Sequence, residues 1–211
     1  MTFLSRRPLR APQRFSPHLV PMAGPQHIIG YAIVSADGMI ADASGVQPDA
    51  LRIEADQKFF YQELARSDAV VHGRNSRERG PCAAKRPRLI MTRRIPGLGR
   101  VPQDPNAVLW NPAGASLADA WSMLAPPGGT LAVIGGTEVY GHFLEVGFDT
   151  FYLTRAGRIR LPGGRPLFPG VPTRMPEELL ASHGLKDSRA QVLDPEQDVM
   201  LVVWRRRHNA A

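Results

Sequence analysis

Three strand-like runs in this chain stop at residues suited to holding an anion. The first is Leu131-Ala-Val-Ile134, an apolar run that ends at Gly135-Gly136 and passes at once into a helical pattern with Val139, Phe143 and Leu144 on one side. Strand, glycines, then helix start is the arrangement that aims free backbone N–H groups at a phosphate, and glycine lets a ligand approach the main chain closely. A bare strand-to-helix turn would read the same way, because the pair does not complete a G-x-G-x-x-G fingerprint. The second run, Val70-Val-His72, reaches Gly73 and then Arg74, with Asn75 or Ser76 as a possible helix cap. A guanidinium beside a helix start suits a phosphate, whereas His72 reads as a core histidine. The third, Leu89-Ile-Met91, exits into Thr92, Arg93 and Arg94, two cations placed to grip a ribose 2′-phosphate.

A carboxylate in an apolar stripe adds reactive chemistry to these exits. Over Ile53–Leu64 the pattern predicts a helix whose inner stripe is Ile53, Phe60 and Leu64, and Asp56 falls within it. A charge on the core side is costly unless paired or used. Desolvation there raises a carboxyl pKa, which fits a group that stores or relays a proton. The competing reading is a first-turn acid that favours the helix dipole and turns its head to solvent.

The elements that would carry these residues alternate strand and helix, which predicts a single α/β domain with a central, mostly parallel, mixed sheet flanked by helices. Strands are expected at Ile28–Val34, Ala69–Val71, Leu89–Met91, Ala107–Trp110, Leu131–Ile134, Thr150–Leu153 and Val199–Trp204, with a further one at Leu179–His183. A helix is expected at Leu117–Leu124, stopped by Pro126-Pro127-Gly128-Gly129.

Composition narrows the class. Of 211 residues, 43% are hydrophobic and 21% charged, the profile of an ordinary globular chain with one good-sized core. No apolar run reaches the ~18 residues of a membrane span. The single cysteine, Cys82, leaves no intramolecular disulfide and fits a reducing cytoplasm. The six histidines have no ligand-type spacing, so no metal is expected. The net charge of +7 falls to +3 once the four arginines of residues 1–21 are set aside, and a dense basic stripe with interleaved aromatics is missing, so nucleic acid is not an expected partner. Residues 1–26 read as a disordered or loosely packed basic tail, without the apolar core of a secretory signal. A transit-like segment fits its composition, as does a true start at Met22. The domain is expected to span 27–207.

Taken in order, these segments resemble the dihydrofolate reductase-like superfamily, which includes dihydrofolate reductase and the pyrimidine reductase domain of riboflavin synthesis. The similarity runs over about residues 27–205. Ile134-Gly-Gly-Thr-Glu-Val-Tyr140 resembles the cofactor segment, Phe151-Tyr-Leu-Thr154 the strand whose threonine meets the active-site carboxylate, and Ala55-Asp56 with Phe59-Phe60 the catalytic helix. Gly73-Arg74 and Thr92-Arg93 are similar to the pyrophosphate and 2′-phosphate positions, and Pro166-Leu-Phe-Pro169 to a closing segment of both branches. Ser35-Ala-Asp-Gly-Met-Ile-Ala41 and Ser67–Gly73 are closer to the riboflavin branch. The loop Gly45–Ala50 lacks the Pro-Trp pair usual in dihydrofolate reductases, while the connection Ser76–Arg88 lacks the longer Asp-Pro segment of the riboflavin branch.

The resemblance implies hydride transfer from NADPH to a heterocyclic or sugar-derived C=N or C=O of a pteridine- or pyrimidine-type small molecule, best matched to the riboflavin-pathway reduction of a 5-amino-6-ribosylaminouracil phosphate, with dihydrofolate reduction as the alternative. It implies Asp56 and Thr154 as catalytic residues. Cofactor contacts would come from Ala32, Ile40, Gly73, Arg74, Asn75, Ser76, Thr92, Arg93, Arg94, Ile134, Gly135, Gly136, Thr137, Glu138, Val139 and Tyr140. Phe60 would pack on the substrate ring, Arg86 or Lys58 would meet a substrate anion, and the protein would be a homodimer. A cofactor-binding regulator without turnover is the competing class, since a fold does not fix a function.

Overall fold

The structure, a computed structural model, describes residues 24–76 and 83–206. Most of the expected basic tail, Cys82 and the C-terminal Arg207 therefore lie outside the described residues. Twelve strands and four α-helices occur among the described residues. Seven of the strands build the middle and flank of the sheet: β1 (His27–Ser35), β3 (Ala69–Gly73), β4 (Arg88–Met91), β6 (Asp104–Trp110), β7 (Thr130–Val133), β8 (Thr150–Ala156) and β12 (Val199–Arg206). The shorter ones are β2 (Met39–Ala41), β5 (Leu98–Val101), β9 (Arg165–Pro166), β10 (Leu185–Asp187) and β11 (Gln191–Asp194). The helices are α1 (Glu54–Leu64), α2 (Leu117–Leu124), α3 (Thr137–Val146) and α4 (Pro176–Ser182).

The main sheet has the order β10-β12-β8-β1-β7-β3-β4-β6-β5, with β11 also pairing β12 and β2 pairing β9 separately. From β8 to β6 every neighbour is parallel, while β12, β10, β11 and β5 join antiparallel. The central strands read as near-continuous apolar runs because helices cover both faces, as parallel sheets require. One face packs α2, α3 and α4 over a core that includes Trp110, Phe143, Phe148, Phe151, Phe168 and Leu180. On the other face α1 sits over Tyr31, Ile33, Val70 and Ala132.

One expected element is different. Residues 179–183 are not a strand, because Leu179 and Leu180 belong to α4. The helix signals lie just upstream: Pro176 opens the helix, where a missing N–H costs nothing, and Glu177 and Glu178 occupy its first turn. A two-leucine run was too short for its period to distinguish helix from strand. The antiparallel strands β10 and β11, and the short β2, β5 and β9, carry no period-two pattern long enough to read.

Candidate active site

Because β8, β1, β7, β3, β4 and β6 run parallel, their carboxyl ends share one edge of the sheet. That edge, where strand order lets loops part, is the usual ligand position in open α/β sheets. Thr154, Ala32, Ile134 with Gly135-Gly136, Gly73 and Thr92 lie along it in that order, on or just beyond five adjacent strands.

The carboxylate site is built by α1 crossing the sheet. Leu51 and Ile53 anchor the entry to the helix in an apolar cluster with Ile33, Ala156 and Val199, and Leu64 anchors its exit in a second one with Tyr31 and Val70. Asp56, in the first turn, lies between those anchors and is only 9% exposed. Thr154 stands 2% exposed on β8 beside Ile33 of β1 and hydrogen-bonds the Asp56 carboxyl. Burial raises the Asp56 pKa from 3.8 to about 6, and the Thr154 bond only partly offsets it. The first-turn dipole does not prevail, because the carboxyl is held against the sheet and not in water. The Asp56 charge is also felt by Tyr140, whose phenol burial drives far above its ordinary range. That phenol donates to the Tyr31 carbonyl at 2.5 Å, so it fixes the backbone next to Ala32. Phe60, one turn beyond Asp56, is half-buried and packs edge-on against Tyr31, which itself stacks on Tyr152.

The glycine exits form a second, contiguous part of the edge. The Gly73 N–H donates to the Gly135 carbonyl at 3.1 Å, the Arg74 N–H to Met91, and the Thr92 N–H to Trp110, so the exits of β3, β4, β6 and β7 are tied together. Gly136 has φ +89°, a left-handed-side conformation that favours glycine, and it begins α3 with no side-chain cap. A Cβ on Gly135 would stand 3.3 Å from the Ser76 Cβ, and one on Gly136 3.4 Å from its Oγ. A side chain on Gly135 would crowd Ser76, while on Gly136 the backbone conformation, more than the space, favours glycine. The glycine pair lets the uncapped first turn of α3 sit beside Arg74–Ser76.

Arg74, Arg93 and Arg94 are exposed and make no side-chain hydrogen bond or ion pair with a described residue. The three guanidiniums remain available to an anion, as does the amide of Asn75, also exposed. Thr92 is buried, and its hydroxyl accepts from the Arg94 N–H at 3.3 Å, shaping the turn that presents the arginines. Ile40, on β2, is half-buried, Thr137 bonds the Pro166 carbonyl, and Glu138 faces solvent.

Other expected roles change. Arg86 does not reach this edge. It precedes β4 at the opposite, amino-terminal edge, where its Nη1 donates to the carbonyls of Leu64 at 2.7 Å and Ser67 at 3.4 Å. Those carbonyls lie at the end of α1, where the helix dipole favours a cation; that of Leu64 also accepts from the Ser67 N–H at 3.1 Å. Lys58 is exposed on α1, away from the inward Asp56 stripe. Val139 and Tyr140 are core side chains, so any ligand contact of theirs comes through the backbone or the shape they impose. Sequence reasoning also missed Arg155, whose guanidinium joins Glu177 to the turn after β1. Its signal was slight: a basic residue inside an otherwise apolar strand, one position beyond Thr154. Among the described residues no group of three or more His, Cys, Asp or Glu is placed to hold a metal, and no helix is long and apolar enough to cross a membrane.

No protein-family model and no curated protein matches the chain. Solved structures do. A protein described as belonging to riboflavin biosynthesis, from Shewanella sp. PV-4, superposes with a TM-score of 0.60 at 22% identity, over 86% of this chain and 99% of its own. A diaminohydroxyphosphoribosylaminopyrimidine deaminase/5-amino-6-(5-phosphoribosylamino)uracil reductase from Thermotoga maritima gives 0.57 at 18% identity, over 87% of this chain and 57% of that longer one. Dihydrofolate reductase from Enterococcus faecalis, complexed with NADP(H), gives 0.55 at 14% identity, over 88% and 99%. The chain has the dihydrofolate reductase-like fold.

Proposed function

We propose that the protein is an NADPH-dependent reductase of a pyrimidine-type heterocycle, its substrate resembling the 5-amino-6-ribosylaminouracil phosphate of riboflavin synthesis. The observation that carries this reading is the buried Asp56–Thr154 pair standing at the same sheet edge as the Gly135-Gly136 exit. A group with pKa about 6 next to a backbone cradle for an anionic cofactor suits reduction of a C=N or C=O, in the heterocycle or at the sugar carbon attached to it, which needs a hydride and a proton.

The residues present fit a dinucleotide. The uncapped first turn of α3 and the guanidinium of Arg74 would take the pyrophosphate, and Arg93 and Arg94 the 2′-phosphate. The nicotinamide would lie by Ala32 and Ile40, next to the Tyr31 carbonyl that Tyr140 pins. When bound, NADPH supplies the hydride; the protein supplies position and electrostatics. Asp56 would hold a proton at its carboxyl oxygen and share it with the nitrogen or oxygen of the C=N or C=O that takes the hydride. The hydroxyl of Thr154 orients that carboxyl, and Phe60 packs on the ring face.

Dihydrofolate is the second acceptor to consider, supported by the Asp56/Phe60 spacing. Arg86 counts against it: the guanidinium that would meet a folate's glutamate is engaged by the carbonyls of Leu64 and Ser67. The test is NADPH oxidation by the purified chain against aminopyrimidine ribosides, their phosphates and dihydropterins. Turnover with an aminopyrimidine is expected. Turnover confined to dihydrofolate would move the protein to the other branch, and NADPH binding without turnover of any acceptor would make it a non-catalytic binder.

A further inference from the structure

We infer that Arg155 and Glu177 are positioning residues, a clamp that holds the β1–β2 turn in the shape that closes the ligand edge. Arg155 follows Thr154 in β8, so its side chain leaves the sheet on the face opposite Asp56. Its single guanidinium bridges two elements. Nε and Nη2 donate to the Glu177 carboxylate in the first turn of α4, the former at 3.0 Å. Nη1 donates to the carbonyls of Ser35 at 3.1 Å and Ala36 at 2.9 Å, the end of β1 and the start of its turn. A planar fork of five fixed donors serves a carboxylate on one side and two carbonyls on the other, a spread that the compact ammonium of lysine matches less well.

The clamped turn is connected onward to the ligand edge. Ser35 Oγ accepts from the Met39 N–H at 3.0 Å, and the Asp37 carboxylate, bonded to the Ser35 hydroxyl, accepts from the Leu161 N–H. The Leu167 N–H donates to the Gly38 carbonyl, and β2 pairs β9 through Met39 and Pro166. The Pro166 carbonyl in turn accepts from the hydroxyl of Thr137, the first residue of α3 after Gly136. A continuous path of hydrogen bonds therefore runs from Glu177 through Arg155 and the turn to the glycine exit. Loosening Arg155 frees the segment that carries Ile40 and, through β9, the start of α3. The identity of the ligand that feels this rests on the NADPH reading above; the clamp itself does not.

Two measurements on the full chain test it, using Glu177→Gln, Arg155→Met and Arg155→Lys. Amide hydrogen exchange in peptides covering residues 33–41 is expected to quicken in Arg155→Met and Glu177→Gln, with β3 amides unchanged. NADPH affinity in Arg155→Met is expected to weaken about tenfold, the equivalent of one lost charged hydrogen bond, with Arg155→Lys recovering part of it. Faster local exchange together with weaker NADPH binding supports the clamp. Unchanged exchange over 33–41 overturns it, as does faster exchange with unaltered NADPH affinity. A wild-type chain that binds no NADPH overturns the cofactor assignment instead, and the exchange of 33–41 alone then decides the clamp. If Arg155→Met does not fold, Glu177→Gln, which keeps a neutral acceptor for Arg155, carries both comparisons.

Discussion

Replacing Asp56 by Asn removes a charge that the fold holds at a cost, and that cost can be read as a function of pH. Burial raises the carboxyl pKa from 3.8 to about 6 in the folded protein. The folded state thus holds the Asp56 proton more tightly than the unfolded chain does. The stability linked to that proton is fully present below the unfolded pKa and is lost as pH rises through the folded value. A shift of about two units corresponds to roughly 3 kcal/mol, an upper figure since Asn alters the bond with Thr154. Asn is neutral at every pH, so its advantage over wild type should be near zero at about pH 4, open through about pH 6, and level off above about pH 7. For a domain of this size the full effect is a thermal midpoint raised by roughly 6–12 °C at neutral pH. Thermal unfolding of both proteins across that range checks it. Turnover of the true acceptor should fall ~10²-fold or more while NADPH affinity stays near wild type. A midpoint difference independent of pH, or an Asn variant less stable at neutral pH, would refute the buried-carboxyl reasoning. Retained turnover would remove Asp56 from the chemistry.

Other outcomes follow from the same geometry. Arg93→Ala/Arg94→Ala should weaken NADPH binding by roughly 1–3 kcal/mol and leave NADH nearly unchanged, because the lost bonds are to the 2′-phosphate; equal losses by titration would disprove that assignment. Gly136→Ala places a Cβ at φ +89°, a conformation that strains any side chain, so it should cost about 1–2 kcal/mol of stability by denaturant unfolding and weaken NADPH binding by shifting the start of α3. Arg86→Met should destabilise the protein by about 1.5–3 kcal/mol through loss of its charged hydrogen bond to the Leu64 carbonyl at the end of α1, with KM for the acceptor unchanged; a selective rise in KM would return Arg86 to the substrate.

What the sequence determined by itself was local in origin. The apolar runs ending at Gly73 and Gly135-Gly136 were legible because strand and glycine signals fall within a few consecutive residues, and Asp56 stood out because a helical stripe exposes a misplaced charge. The same patterns could not say whether those exits were neighbours. Strand order did that: β8, β1, β7, β3 and β4 place Thr154, Ala32, Gly135, Gly73 and Thr92 along one edge. Nor could they say whether Asp56 pointed to water or to Thr154, since the helix-dipole and burial readings predict opposite pKa shifts and only the depth of α1 on the sheet chooses between them. Arg86 looked like a substrate cation until parallel pairing put the start of β4 at the far edge, beneath the end of α1. Arg155 and Glu177 lie 22 residues apart, and the two carbonyls that Arg155 also meets are 120 and 119 positions before it. Periodicity reports which side of an element faces inward. Which partner waits there depends on chain crossings over the whole domain, and for a polar group the partner decides whether burial makes it a structural tie or a reactive one.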